Sequence, residues 1–210
     1  MALKRCFDLL LAIFGLVTCG WLILLGWLAA RISTGESGMF RQQRVGKDGK
    51  LFQIAKLRTM RTDVGTQTTC TSSDDPRITM VGRWLRVFKL DELPQLWNVL
   101  LGEMSFVGPR PDVPGFADAL QGEERVLLSL RPGITGPASL LFHDEELLLE
   151  GVDDPELFNR EVLWPAKVQL NLYYLQHYSL MRDIAYIFAT VVPPLRKRVL
   201  APLPKPPVLK

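Results

Sequence analysis

The chain is poor in the residues from which small proteins build staples and metal cages. Three of its 210 residues are cysteines. Cys6, Cys19 and Cys70 are an odd number without metal-ligand spacing, so neither a disulfide framework nor a zinc site is indicated, and a reducing, cytoplasmic setting fits. Net charge is scarce too: a formal balance of +3 and a pI of about 8.8 fall short of a dedicated nucleic-acid binder, and no nucleic-acid partner is expected. No internal repeat divides the sequence. Between Leu9 and Ala30 there is neither a charged side chain nor a proline.

That apolar run is the first thing the chain does have. About 22 residues at about 1.5 Å each give a helix of about 33 Å, enough for a hydrocarbon core of about 30 Å. A cleaved secretory signal fits poorly, because the stretch is long and no small-x-small site precedes a polar start. Two arrangements remain open. Lys4 and Arg5 before the run, and Arg31, Arg41, Arg44 and Lys47 after it, place basic flanks at both ends, which favours a bent helix that enters and leaves one leaflet. An ordinary spanning anchor satisfies the length equally well. Gly15, Gly20 and Gly26 offer places to bend. With 48% hydrophobic residues, the remainder of the chain can bury one substantial core.

Next comes FRQQRVGKDGKLFQIAKLRTM, a strand-turn-strand pattern around Gly46 and Gly49 that carries a basic surface. Lys56 and Arg58, with Leu57 between them, would share one strand face and are candidate phosphate contacts. Residues 61–75 read as a polar loop. Two helices are expected between Ile78 and Leu101, with Val81, Trp84, Leu85 and Phe88 on one apolar stripe and Leu93, Leu96, Trp97, Leu100 and Leu101 on the other. Asp91 and Glu92 stand at the start of the second. A helix cap explains such a pair structurally. Chemistry explains it equally, since phosphoryl transfer needs an oxygen nucleophile, a divalent cation and positive charge. Arg86 lies just upstream, the rigid turn Val107-Gly108-Pro109-Arg110-Pro111 presents Arg110, and the turn Arg131-Pro132-Gly133-Ile134-Thr135-Gly136 presents Arg131.

These stretches, together with Lys4-Arg5, Phe7-Asp8 and the Tyr173-Tyr174 to Asp183 region, resemble the small monotopic phosphoglycosyl transferases, also called the bacterial sugar transferase family. The resemblance runs from about residue 4 to about residue 192. It implies an α/β, mostly helical fold: a re-entrant N-terminal helix over 1–32, a compact cytoplasmic catalytic unit with a short β element over 33–192, and amphipathic helices on the membrane surface. It also implies transfer of a sugar 1-phosphate from a nucleoside diphosphate sugar, usually a UDP-sugar, to a polyprenol phosphate such as undecaprenyl phosphate, at the cytoplasmic face of a bacterial inner membrane. By the same likeness Asp91 would be the nucleophile that carries a covalent phosphosugar, Glu92 its catalytic companion, and Asp91 a ligand of Mg²⁺. Lys56, Arg58, Arg86, Arg110 and Arg131 would hold phosphate or nucleotide. One departure stands out: Gly20-Trp21 occupies the place where the family commonly has Ser-Pro, so a bend at Gly20 would form without the kinking proline.

Beyond the core motifs, LLFHDEELLLEGVDDPELFNREV is acidic and leucine-rich, suited to shaping a sugar pocket or a self-association face such as a homodimer. His143 within it reads as a surface residue. Met181, Ile184, Ala185, Ile187, Phe188 and Val191 are spaced for a helix on the bilayer surface or packed under the domain. Residues 193–210, with Arg196-Lys197-Arg198 and six prolines, read as a basic, poorly ordered tail that touches anionic lipid.

Overall fold

The computed structural model describes residues 2–62, 75–149 and 152–204, and for Glu146 and Leu147 the backbone alone. The described residues are mostly helical and fall into two compact units, one holding 2–44, 51–62 and 75–104, the other 45–50, 105–149 and 152–204. Most of the expected polar loop, with Cys70, lies outside the described residues.

The first unit is organised around helix α1 (Ala2–Thr34), which continues as one helix through Gly20. One face carries small or polar residues: Asp8, Ala12, Gly26, Ala30 and Thr34 are buried. A Cβ on Gly15 would meet Leu96, and one on Gly26 would fall 2.6 Å from Leu57 Cδ1, so the small residues let the helix backbone approach its neighbours. The opposite face exposes Leu10, Phe14, Val17, Trp21, Leu24, Leu25, Leu28 and Ile32. Thus α1 packs into this unit along its small-residue face. Both of its ends are fastened. Arg5 donates to the carbonyls of Val99 and Leu100 at 2.6 and 3.0 Å, and Ser33 Oγ lies 3.2 Å from Thr79 Oγ1.

Strands β1 (Met39–Val45) and β2 (Leu51–Leu57) form the anticipated two-stranded hairpin, with Asp48 and Gly49 at φ 58° and 75° in its turn. Helix α2 (Met80–Val87) is capped by Thr79, whose hydroxyl accepts from the Gly82 N–H at 2.9 Å, and α3 (Gln95–Leu101) ends at Gly102 in the left-handed region. The two expected helices are present, but their apolar stripes are turned differently. Leu85, Leu96 and Val99 are buried, whereas Trp84, Phe88, Trp97 and Leu101 are exposed, with Trp84 and Phe88 stacked at 5.6 Å between centroids. The polar residues Gln95 and Asn98 take the buried positions on α3 instead. Asn98 accepts from the Ala55 N–H at 3.0 Å and donates to the Gln53 carbonyl at 2.8 Å and to Glu103 at 2.7 Å, riveting α3 to β2.

In the second unit, β3 (Ser105–Val107) pairs in parallel with β4 (Gly133–Thr135), so the Arg131–Gly136 stretch is a strand and its approach rather than a turn. The two motifs interlock through glycine. A Cβ on Gly108 would lie 2.3 Å from the Arg131 carbonyl oxygen, and one on Gly136 would lie 2.4 Å from that of Gly108. Around them pack α4 (Pro137–Leu141), α5 (Glu145–Leu148), α6 (Pro155–Phe158), α7 (Trp164–Gln176), α8 (Leu180–Val191) and α9 (Arg196–Leu200). Apolar residues of the acidic passage serve the core here: Leu140, Phe142 and Leu149 are buried. His143 is exposed beside Asp144, as expected. On α8, Asp183, Tyr186 and Ala189 face inward while Met181, Phe188 and Val191 are exposed, so the helix is two-faced as its spacing predicts. Asp183 accepts a 2.7 Å hydrogen bond from buried Tyr174. The tail is more ordered than its composition suggested: α9 forms after Pro193–Leu195, and Leu203 is buried among Leu163, Ala166 and Leu170, because apolar residues between the prolines find a core to enter. Residues 205–210 lie outside the described residues.

Replacing Asn98 with Ala strands the Ala55 N–H and the Gln53 carbonyl. It is expected to cost about 2–3 kcal/mol, read as a fall of about 5 °C or more in Tm by thermal-shift assay in detergent.

Candidate active site

Chain direction reverses between α2 and α3 in a tight turn, and that turn delivers the acidic pair. Lys89 adopts φ 56°, the left-handed region that a lysine rarely enters, and the following 3-10 turn Leu90–Glu92 leads through Pro94 into α3. Non-glycine residues held there mark positions the surrounding fold over-determines, often beside functional groups. Lys89, not Asp91, stands at the cap of that turn. The Asp91 side chain is buried, and its Oδ1 has no hydrogen-bond partner among the described residues.

Two features of this turn oppose ionisation of Asp91. Burial strips water from the carboxylate, and the Glu92 charge adds repulsion; together they raise its pKa above the usual carboxylate range. Lys56, Arg86 and Lys89 act in the other direction. Lys56 reaches from β2 to Glu92, Nζ to Oε1 at 2.9 Å, with both side chains largely shielded. The strand thus supplies a counter-charge to the second carboxylate and keeps the first from facing a bare anion. Arg86, on α2, is braced by Thr59 Oγ1 at 3.1 Å and Met60 Sδ at 3.1 Å.

The first unit accordingly gathers Asp91, Glu92, Lys56 and Arg86. Arg58 uses its guanidinium on Glu36 at 3.0 Å and on the Ser37 carbonyl at 2.8 Å. Arg110 and Arg131 belong to the second unit, in adjacent parts of the interlocked β3–β4 motifs. Two contributors had no sequence signal of their own: Lys89, whose conformation only the fold reveals, and Asn98, which looked like a polar gap in an apolar stripe.

No group of three Asp, Glu, His or Cys side chains gathers to cage a metal among the described residues. Mg²⁺ does not require one, since it is commonly held by one or two carboxylates together with substrate phosphates and water. The unpartnered Asp91 oxygen is a donor of the type such a site would use.

The first unit thus holds a buried carboxylate of raised pKa, with fixed cations near it and a long apolar helix in the same unit. The family model described as bacterial sugar transferase matches residues 1–197, and the chain belongs to that family. Among curated relatives it is 33% identical over 204 residues to an exopolysaccharide production protein of Sinorhizobium fredii, covering 90% of this chain and 83% of that one. It is 37% identical over 196 residues to an undecaprenyl-phosphate glucose phosphotransferase of Komagataeibacter xylinus, covering 90% of this chain and 35% of that longer protein. A UDP-glucose:undecaprenyl-phosphate glucose-1-phosphate transferase of Caulobacter vibrioides is 36% identical over 192 residues, covering 90% and 68%.

Because the folded-state pKa of Asp91 lies above its unfolded value, the folded chain favours the protonated form. The resulting stabilisation is complete below the ordinary carboxylate pKa and is lost as pH rises through the raised value. Asp91→Asn, which stays neutral, is therefore expected to have a higher Tm than the wild type at neutral pH. The gap should close as the pH is lowered below the ordinary carboxylate range, followed by thermal denaturation across pH.

Proposed function

We propose that the chain transfers a sugar 1-phosphate from a UDP-sugar to a polyprenol phosphate, undecaprenyl phosphate being the expected acceptor, and releases UMP. The observation that carries the reading is the buried, unpartnered oxygen of Asp91. It is an oxygen nucleophile already stripped of water, which spares it the desolvation that attack on a phosphorus otherwise demands.

In the first half-reaction an Asp91 oxygen forms a bond to the sugar-bearing phosphorus, the bond from that phosphorus to the bridging oxygen breaks, and UMP departs with the electron pair. The acyl phosphate left on Asp91 retains most of the anhydride's reactivity. In the second, an oxygen of the polyprenol phosphate attacks the same phosphorus and the aspartyl carboxylate is restored. Glu92, neutralised by Lys56, sits one residue away and is suited to orient or deprotonate the incoming phosphate. Arg86 supplies a fixed positive charge from the same unit, and Arg110 and Arg131 are proposed to hold phosphate or nucleotide. Mg²⁺, if bound at Asp91, would offset repulsion among the anions.

The proposed membrane placement draws its support from α1. Its ends are both tied to one unit, through Arg5 and Ser33, while its outer face is apolar. This supports a monotopic, re-entrant mode that keeps both ends on the cytoplasmic side of a bacterial inner membrane. The names of the relatives support an early step of exopolysaccharide assembly as the setting.

The test is UMP release on mixing the full chain in lipid or detergent with UDP-sugars, undecaprenyl phosphate and Mg²⁺. Wild type is expected to form UMP and, with acceptor withheld, to gain the mass of a phosphosugar at Asp91. Asp91→Asn should fall by about 10³-fold or more while still partitioning into membranes. Product accumulating without any adduct on Asp91 would refute the covalent route.

A further inference from the structure

Within the second unit, α7, α8 and the α9 segment line a pocket that the proposed chemistry leaves unused. Tyr173, Arg182, Tyr186, Arg198, Val199 and Leu203 contribute to its wall, and all of these but Arg198 are buried or half-buried. The fold holds its polar groups in place. Arg182 donates to the His177 carbonyl at 2.7 Å, where α7 ends, and the Tyr173 ring stacks on that of His177 with centroids 4.1 Å apart. Tyr186 is 3% exposed and packs with Tyr174 and Val199. Two of these groups keep donors to spare. Among the described residues the Tyr186 hydroxyl has no hydrogen-bond partner, and the Arg198 guanidinium has neither a hydrogen bond nor an ion pair. Burial raises the Tyr186 phenol above its usual range, against the opposing charge of Arg182, so it remains a donor at neutral pH.

The charge here is of one sign. Asp183 is the sole acid between Trp164 and Pro204, and it is fully buried and occupied by the Tyr174 hydroxyl. No acid lines the pocket, so two guanidiniums and a phenol face an anion's worth of unmet demand. The rest of the surroundings says which anion. Val199 and Leu203 give the wall an apolar part, α8 exposes Met181, Phe188 and Val191, and the residues leading into α9 expose Val192 and Leu195. Large apolar side chains left bare beside cations suit the boundary where headgroup phosphates meet hydrocarbon. We infer that the pocket is a headgroup site for an anionic membrane phospholipid, whose phosphate is held by Arg182, Arg198 and the Tyr186 hydroxyl. This is independent of the phosphotransfer reading. It also differs from the general attraction of a basic tail to a charged leaflet, which is worth about 1 kcal/mol per cation wherever the cation lies. A built site singles out the residues that line it.

Native mass spectrometry of the full chain in neutral detergent, titrated with phosphatidylglycerol or phosphatidylcholine, decides it. Wild type is expected to retain one phosphatidylglycerol more tightly than any further copy and more tightly than phosphatidylcholine. Arg198→Gln and Lys197→Gln each remove one charge from neighbouring exposed positions, but of the two only Arg198 lines the pocket. Arg198→Gln and Arg182→Gln should lower the affinity for that lipid about tenfold, as loss of a hydrogen bond to a charged group does, while Lys197→Gln changes it far less. Tyr186→Phe keeps the ring and its packing and should weaken retention severalfold with little change in Tm. Equal losses from Arg198→Gln and Lys197→Gln would reduce the effect to general charge attraction and overturn the site. So would a wild type with no preference for phosphatidylglycerol. Displacement of the lipid by inorganic phosphate would make the pocket a site for free phosphate, and tighter retention of undecaprenyl phosphate through the same residues would assign it to that lipid instead; either result overturns the phospholipid assignment.

Discussion

Two adjacent carboxylates withdrawn from water repel one another and resist ionisation unless a cation is fixed beside them, and the first unit is arranged around meeting that condition. Lys56 must arrive from β2 at the correct height, so β2 must be registered against α3; Asn98 does this by bonding to the strand backbone on both sides of Ile54. Loss of Lys56 would remove a largely shielded ion pair from Glu92, which costs more than loss of an exposed one. The site is therefore poised rather than relaxed. Asp91 is held in a state that an added cation, acting with the guanidinium of Arg86, can shift towards the charged form.

The second constraint is the solvent that α1 meets. A helix with small residues on one side and large apolar ones on the other is under-packed for a water-exposed position, yet suited to burying one side against protein and the other in lipid. Trp84, Phe88, Trp97 and Leu101, exposed on α2 and α3 of the same unit, add further apolar surface. The turn bearing Asp91 lies between those two helices, so the proposed chemistry takes place within reach of a greasy acceptor.

Much of this was legible in the sequence because it depends on local chemistry. The hairpin about Gly46 and Gly49, the helical character of residues 80–101, the length of α1 and the inward and outward faces of α8 follow from periodicity and turn residues. Elsewhere tertiary packing overrode a local pattern. Trp84 and Trp97 look like core residues by type, but their outward placement is favourable if the surroundings are apolar. The Arg131–Gly136 stretch looks like a turn by composition. Its glycines serve instead to let two backbones touch, and nothing nearby in the sequence announces a partner 28 positions away, as in the pairing of Ser105 with Gly133. The clustering of Asp91, Glu92 and Arg86 was visible; the pairing of Lys56 with Glu92 was not, because it joins residues 36 apart.

The grip of Arg5 on the last carbonyls of α3 links residues 94 and 95 positions apart. On the ribosome α1 emerges long before α3 exists, so for that interval α3 cannot cover its apolar side chains. The turn bearing Asp91 is then built onto a helix already made, and a chain denied an apolar surround during synthesis would expose its stickiest surface at the moment it has least with which to cover it.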